Sequence, residues 1–174
     1  MSNTVHNPDQ YLFDFRHIVT HGRKKIGLLI GAGAPVSINI GTGSAYIPLI
    51  PNVAGLTKAV KENLIGLEKE AFETIEKSIV NANIESVLSR VRALAEVIGT
   101  STIHGLDGPG FEGLSKNICS HIKRIVTRSL PTGQNPYSDI VSWINGINRS
   151  YAVEIFTTNY DQLFEEALVK VRTI

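Results

Sequence analysis

Two short apolar runs, each ending in a turn of small or polar residues, constrain this chain more than any other feature. In "RKKIGLLIGAGAP" the run Ile26–Ile30 is entered through basic residues and left through Gly31, Ala32, Gly33 and Ala34. In "AVEIFTTNYDQLFEEAL" a second run breaks at Thr157, Thr158, Asn159, Tyr160 and Asp161, then resumes with helical spacing. Apolar runs of this length bounded by turn signals predict central parallel strands covered on both faces.

Helical patterns surround them. "NPDQYLFDFRHIVTHG" predicts a first helix with Asn7 as N-cap, Pro8 at the first position, and Gly22 at its end. Its Tyr11, Leu12, Phe15, Ile18 and Val19 share one face. Residues 38–55, with three glycines and two prolines, read as a long loop. Helical spacing then returns at Leu56, Ala59, Val60, Leu64 and Leu67 and again at Ala71, Ile75 and Ile79, with Gly66 as a break, giving one kinked helix or two. "NIESVLSRVRALAEVIG" predicts a helix capped by Asn83 and ended by Gly99. "TSTIHGLDGPGFEG" reads as a second glycine-rich loop, followed by a helix through Leu114, Ile118, Ile122, Ile125 and Val126. Ser138 is expected to cap the next helix, Asp139 to about Asn148. Asp161 is expected to cap the last, which carries Leu163, Phe164, Ala167, Leu168 and Val171, with Glu165 and Glu166 in its first turn.

The order helix, strand, several helices, strand, helix argues for an α/β fold. The expectation is a Rossmann-like parallel sheet flanked by helices, with a helix-rich insertion over about residues 55–149. A sheet needs about three strands or more to stand alone, and the chain stops inside a helical pattern at "VKVRTI". Residues 1–174 are therefore expected to form the N-terminal portion of one domain that lacks its C-terminal part.

Hydrophobic residues at 43% and charged ones at 19% allow a packed core. A net charge of +1, with Lys and Arg scattered along the chain, gives no reason to expect direct nucleic-acid binding. The single cysteine, Cys119, excludes an intramolecular disulfide and a cysteine-rich zinc site, and fits a reducing cytoplasm. The polar N-terminus does not read as a secretion signal, and no apolar run approaches the roughly 18 residues that span a bilayer.

Glycines where a strand turns let a backbone approach a phosphate closely, and the free amides of such a turn can bind one. "GAGAP" departs from G-x-G-x-x-G because Val36 holds the third glycine's place, and no Gly-Lys-Ser/Thr follows to make a P-loop. A tight turn needing positive φ explains the glycines equally well. Asp161 is accounted for as a helix cap, whereas Asn159 is not. An Asn at the carboxyl end of a parallel strand faces the crevice where open α/β sheets bind ligands, and the glycines of the first strand lie on the same rim.

Other candidates carry less. His17 and His21 lie four apart on the first helix, but read as surface residues without a carboxylate beside them. His104 sits in the second glycine-rich loop, His121 on the polar side of its helix, and His6 in the N-terminal segment. Cys119, beside Ile118 and Ile122, reads as a small helix-core residue.

Together, "IGLLIGAGAP" and the distant "IFTTNYDQLFEEAL" resemble the sirtuin-like domains of bacterial anti-phage defence proteins, which hydrolyse NAD. The resemblance runs from about Lys25 to Leu168 and takes in "NIESVLSRVRAL". It implies that Gly31, Ala32 and Gly33, continued by Ala34, cradle the pyrophosphate of NAD. It also implies that Asn159 is the catalytic amide near the nicotinamide ribose, with Asp161 and Thr158 ordering the site.

There are two departures. Pro35 stands where the family has a serine, and Ser37 is the candidate replacement. The family's catalytic histidine lies downstream of the Asn motif, and Gln162–Ile174 contain none, so the general base is not in this chain. The resemblance further implies a cytoplasmic homo-oligomer without a metal, held in check until a partner, a translocase-type ATPase or a short Argonaute, senses infection. A protein deacylase is the weaker rival, since a lone Cys119 cannot supply the four-cysteine zinc module. A non-catalytic nucleotide-sensing scaffold is the rival from another class, favoured by Pro35 and the absent histidine.

Overall fold

The computed structural model describes residues 7–172, and the side chains of Val171 and Arg172 lie outside that description, as do His6 and the Val171 position expected on the last helix face. The elements are α1 (Pro8–Thr20), β1 (Ile26–Ile30), α2 (Val53–Asn63), α3 (Gly66–Ser78), α4 (Ile84–Ile98), α5 (Gly108–Val126), α6 (Pro136–Gly146), β2 (Val153–Thr157) and α7 (Leu163–Arg172). The order is the one the sequence predicts. Helix predominates, with one small parallel sheet: β1 pairs with β2 in the register Ile26↔Val153 through Ile30↔Thr157.

The chain divides into two compact units. One gathers the segment up to Gly31, Leu130–Asn159 and the residues from Leu163 onward; the other gathers Ala32–Ser129 and Tyr160–Gln162. In the first unit, α6 packs on α7 through Tyr137, Val141, Leu163, Phe164 and Ala167, all buried. The Tyr137 and Phe164 rings meet at 6.0 Å, tilted by 59°, within the range aromatic pairs favour. Glu166 on α7 accepts the Leu130 N–H at 3.0 Å and pairs with Lys170 at 2.7 Å. In the second unit α2, α3, α4 and α5 share a core built on Val60, Phe72, Ile75, Val87, Val91, Phe111, Leu114 and Ile118, all buried to 2% exposure or less. Fully burying such side chains contributes about 1.5–3 kcal/mol each.

The helix ends correct several boundaries. Asn7 caps α1 and Asn83 caps α4 as expected, the latter in a reciprocal capping box with Ser86. The helical spacing after the long loop resolves into two helices, separated by extended backbone at Leu64 and Ile65, and Gly66 begins α3. α2 starts at Val53, because the Asn52 side chain accepts the Gly55 N–H. α5 starts at Gly108, inside the expected second loop: Asp107 caps it and Pro109 falls in its first turn, where a missing N–H costs nothing. The next helix is capped by Asn135, not Ser138, which is the reciprocal partner of that cap.

The strands are not covered on both faces. Leu29 is 73% exposed and its register partner Phe156 is 57% exposed, so one face of the sheet presents apolar surface. The apolar face expected of α1 is likewise uncovered, and no α1 residue is buried. α1 is fixed at its end: the Arg149 guanidinium stacks 4.5 Å over Trp143 and donates to the Val19 carbonyl at 3.1 Å. A cation there also opposes the negative end of the helix dipole. Among the described residues no helix is long and apolar enough to cross a membrane.

Candidate functional site

Parallel pairing brings both strands' carboxyl ends to one rim, where α/β sheets bind ligands. The last register pair is Ile30↔Thr157, and the Thr158 N–H extends it by donating to the Ile30 carbonyl at 3.2 Å. Gly31 follows one strand and Thr158 and Asn159 the other, so the two motifs converge on this rim as expected. Thr158 is exposed. The Asn159 N–H donates to Thr157 Oγ1 at 3.0 Å, which fixes its backbone. Its side-chain Oδ1 is buried and has no hydrogen-bond partner among the described residues. Most buried polar atoms find a partner, and one that does not needs a reason.

The glycines do not serve a left-handed turn. Neither Gly31 nor Gly33 has positive φ, and a Cβ at either position would meet no atom within 4 Å. Positive φ among glycines falls instead at Gly22, Gly43, Gly66, Gly99, Gly105 and Gly133. The tight-turn explanation therefore fails, and nothing in the fold forbids a side chain at either glycine. The amides of Gly31, Ala32 and Gly33 donate to no group among the described residues. The chain then enters a single 3-10 turn, Pro35–Ser37, for which Ala34 is the cap and Pro35 the buried first residue. The Ser37 hydroxyl donates to the Ala34 carbonyl at 2.7 Å, and its N–H bonds the same oxygen at 3.1 Å. Ser37 thus has no free donor to replace the one Pro35 lacks.

Asp161 belongs to the second unit, where it lines a cleft of about 610 Å3 with Tyr160 and Gln162. The floor is apolar, formed by Leu56, Ile84, Leu88, Ile122 and Val126. Tyr160 is itself mostly exposed, and its hydroxyl donates to Glu85 Oε1 at 3.1 Å. That bond and the nearby carboxylate charge hold the phenol above its ordinary pKa. Cys119 corrects the expectation of a helix-core residue: it is half-buried, lines this cleft, and lies 3.4 Å from Arg92 Nη2. Sequence reasoning missed Arg92, Lys123 and Arg128, which also line it. Cys119 and Lys123 are one helical turn apart on α5, a legible signal, but no spacing rule links them to Arg92 on α4.

The histidines lie elsewhere. The rings of His17 and His21 are stacked at 3.7 Å and 15°, an arrangement in which one ion cannot lie in both ring planes. His104 is exposed in a left-handed turn with φ 52°, and His121 lies 3.3 Å from Arg124 on α5. Among the described residues no group of three or more His, Cys, Asp or Glu is arranged to hold a metal.

Compared with known proteins, the chain matches no family model and no curated protein.

Proposed function

We propose that this chain binds NAD at the carboxyl rim of the β1–β2 pair and hydrolyses its nicotinamide–ribose bond, as sirtuin-like domains do. The observation that carries the reading is the pairing of unspent amides at Gly31, Ala32 and Gly33 with open space where a Cβ would stand at Gly31 and Gly33. A pyrophosphate needs both: donors aimed outward and a backbone it can approach. The buried Oδ1 of Asn159 adds a fixed acceptor on the same rim.

In the reaction, water adds to the ribose carbon as the bond to nicotinamide breaks. The bonding pair leaves with the nicotinamide nitrogen, and one proton is released to solvent. Positive charge grows on the sugar meanwhile. An oriented amide oxygen stabilises that charge or holds the ribose hydroxyls and water in line, without reorganising during the step. Thr158 orders the surroundings.

In this reading the two strands are part of a Rossmann-like sheet, the protein is a cytoplasmic homo-oligomer, and NAD depletion serves anti-phage defence under the control of a translocase-type ATPase or short Argonaute. The test is nicotinamide release from NAD by the chain and by Asn159→Ala. Release that the substitution abolishes supports the hydrolase.

A second reading, a nucleotide-sensing scaffold without turnover, is favoured by the engaged Ser37 hydroxyl beside Pro35, which leaves the turn with fewer donors than the family's serine would give. NAD binding without nicotinamide release is its signature.

A further inference from the structure

The cleft between α4 and α5 is lined by Arg92, Lys123 and Arg128 against the carboxylates Glu85 and Asp161, a cationic excess that the NAD reading does not use. Glu85 lies in the first turn of α4 and is engaged by Tyr160, and Asp161 and Gln162 continue the same wall. Arg92 is seven residues further along α4, two turns or about 10 Å away. There its Nε lies 3.4 Å from Ser115 Oγ and its Nη2 3.4 Å from Cys119 Sγ, so the guanidinium is held by neutral groups. Lys123 is one turn beyond Cys119 on the same face of α5. Neither Arg92 nor Lys123 has a carboxylate partner among the described residues. The same cleft has an apolar floor that includes Leu88, Ile122 and Val126.

An apolar cleft of this volume with a few convergent polar groups is the usual form of a small-molecule site. Here the polar groups specify the occupant. We infer that the cleft binds a small amphipathic anion, an aromatic or acyl body carrying one carboxylate, sulfonate or phosphate, with the anionic group between Arg92 and Lys123 above Cys119. The guanidinium fork, pre-set by Ser115 and Cys119, offers its remaining N–H groups to that anion. The apolar body covers Leu88 and Ile122, which are otherwise half-exposed. The inference is independent of NAD hydrolysis.

Cys119 is the only cysteine in the chain, so its reaction with thiol reagents reports on this cleft alone. The probes are 5,5′-dithiobis(2-nitrobenzoate), an aromatic carboxylate disulfide, and 4,4′-dithiodipyridine, which is aromatic and neutral at pH 7. In each case the thiolate displaces one aromatic thiolate and forms a mixed disulfide.

The expected result is a rate that saturates with the anionic reagent but rises linearly with the neutral one. Lys123→Gln, at an exposed position that leaves folding undisturbed, should lower the anionic-to-neutral rate ratio roughly fivefold, and Arg92→Gln by as much or more. Anilinonaphthalene sulfonate should protect Cys119 from both reagents. Linear kinetics with both reagents, or a rate ratio that neither substitution changes, would overturn the inference.

Discussion

Tyr160 donates its hydroxyl to Glu85 at 3.1 Å across 75 positions of sequence, joining the residue that follows Asn159 to the first turn of α4. Because the bond is made only by the neutral phenol, its pKa is raised. The contribution to stability is therefore complete below the unfolded tyrosine value, about 10, and is lost as pH rises through the higher folded value. Ultraviolet titration of tyrosinate should lose a late-titrating group in Tyr160→Phe. A titration identical in both proteins would count against the bond.

Glu166 should behave in the opposite sense. Burial alone would raise its carboxyl pKa, but Lys170 and the Leu130 N–H outweigh that and hold it below the ordinary value. Its contribution is present above the unfolded glutamate value, about 4.3, and is lost as pH falls through the folded one. Melting temperature against pH should show a weaker acid decline in Glu166→Gln than in the parent.

Thr57 is buried, donates to the Val53 carbonyl at 2.8 Å and accepts the Ile84 N–H at 2.9 Å, tying α2 to the start of α4. Thr57→Val keeps the shape and strands that N–H. Urea unfolding should register a loss of about 1–3 kcal/mol.

Glycines in this chain differ in what the backbone demands of them, and substitution separates the two kinds. Gly22 has φ +64° and a Cβ there would lie 2.3 Å from the Asn148 carbonyl oxygen, so Gly22→Ala should cost about 2 kcal/mol or more. Gly33→Ala meets no atom and needs no left-handed backbone, so stability should hold or rise by about 0.4–1 kcal/mol. Thermal melts of the two variants give the comparison.

The sequence carried the elements well because their signals are local. Asn7 and Asn83 stand where a cap must stand, and Ile26–Ile30 and Val153–Thr157 are too short and too apolar to be much else. The errors arose where one local signal masked another. Ser138 looked like a cap because it partners one, and Gly-Pro-Gly hid a helix start that Asp107 caps from outside. Burial was not legible: Leu29 and Phe156 are as apolar as any core pair yet stand exposed, because burial depends on what lies opposite. The backbone at Gly31 and Gly33 was equally hidden, since only its angles separate a glycine that a turn requires from one that a side chain could replace. The cleft draws on α2, α4, α5 and Tyr160–Gln162, too far apart in sequence for any periodicity to join.

The most direct measurement is a calorimetric titration of NAD into the parent chain and Gly33→Val, with melting temperatures taken alongside. The branched side chain projects into the space over the turn, where a Cβ at this position meets no atom within 4 Å. Binding by the parent, weakened about tenfold or more in the variant at an unchanged melting temperature, is the predicted result. Equal affinity in both proteins, or no binding by the parent, would contradict a nucleotide site at the glycine turn.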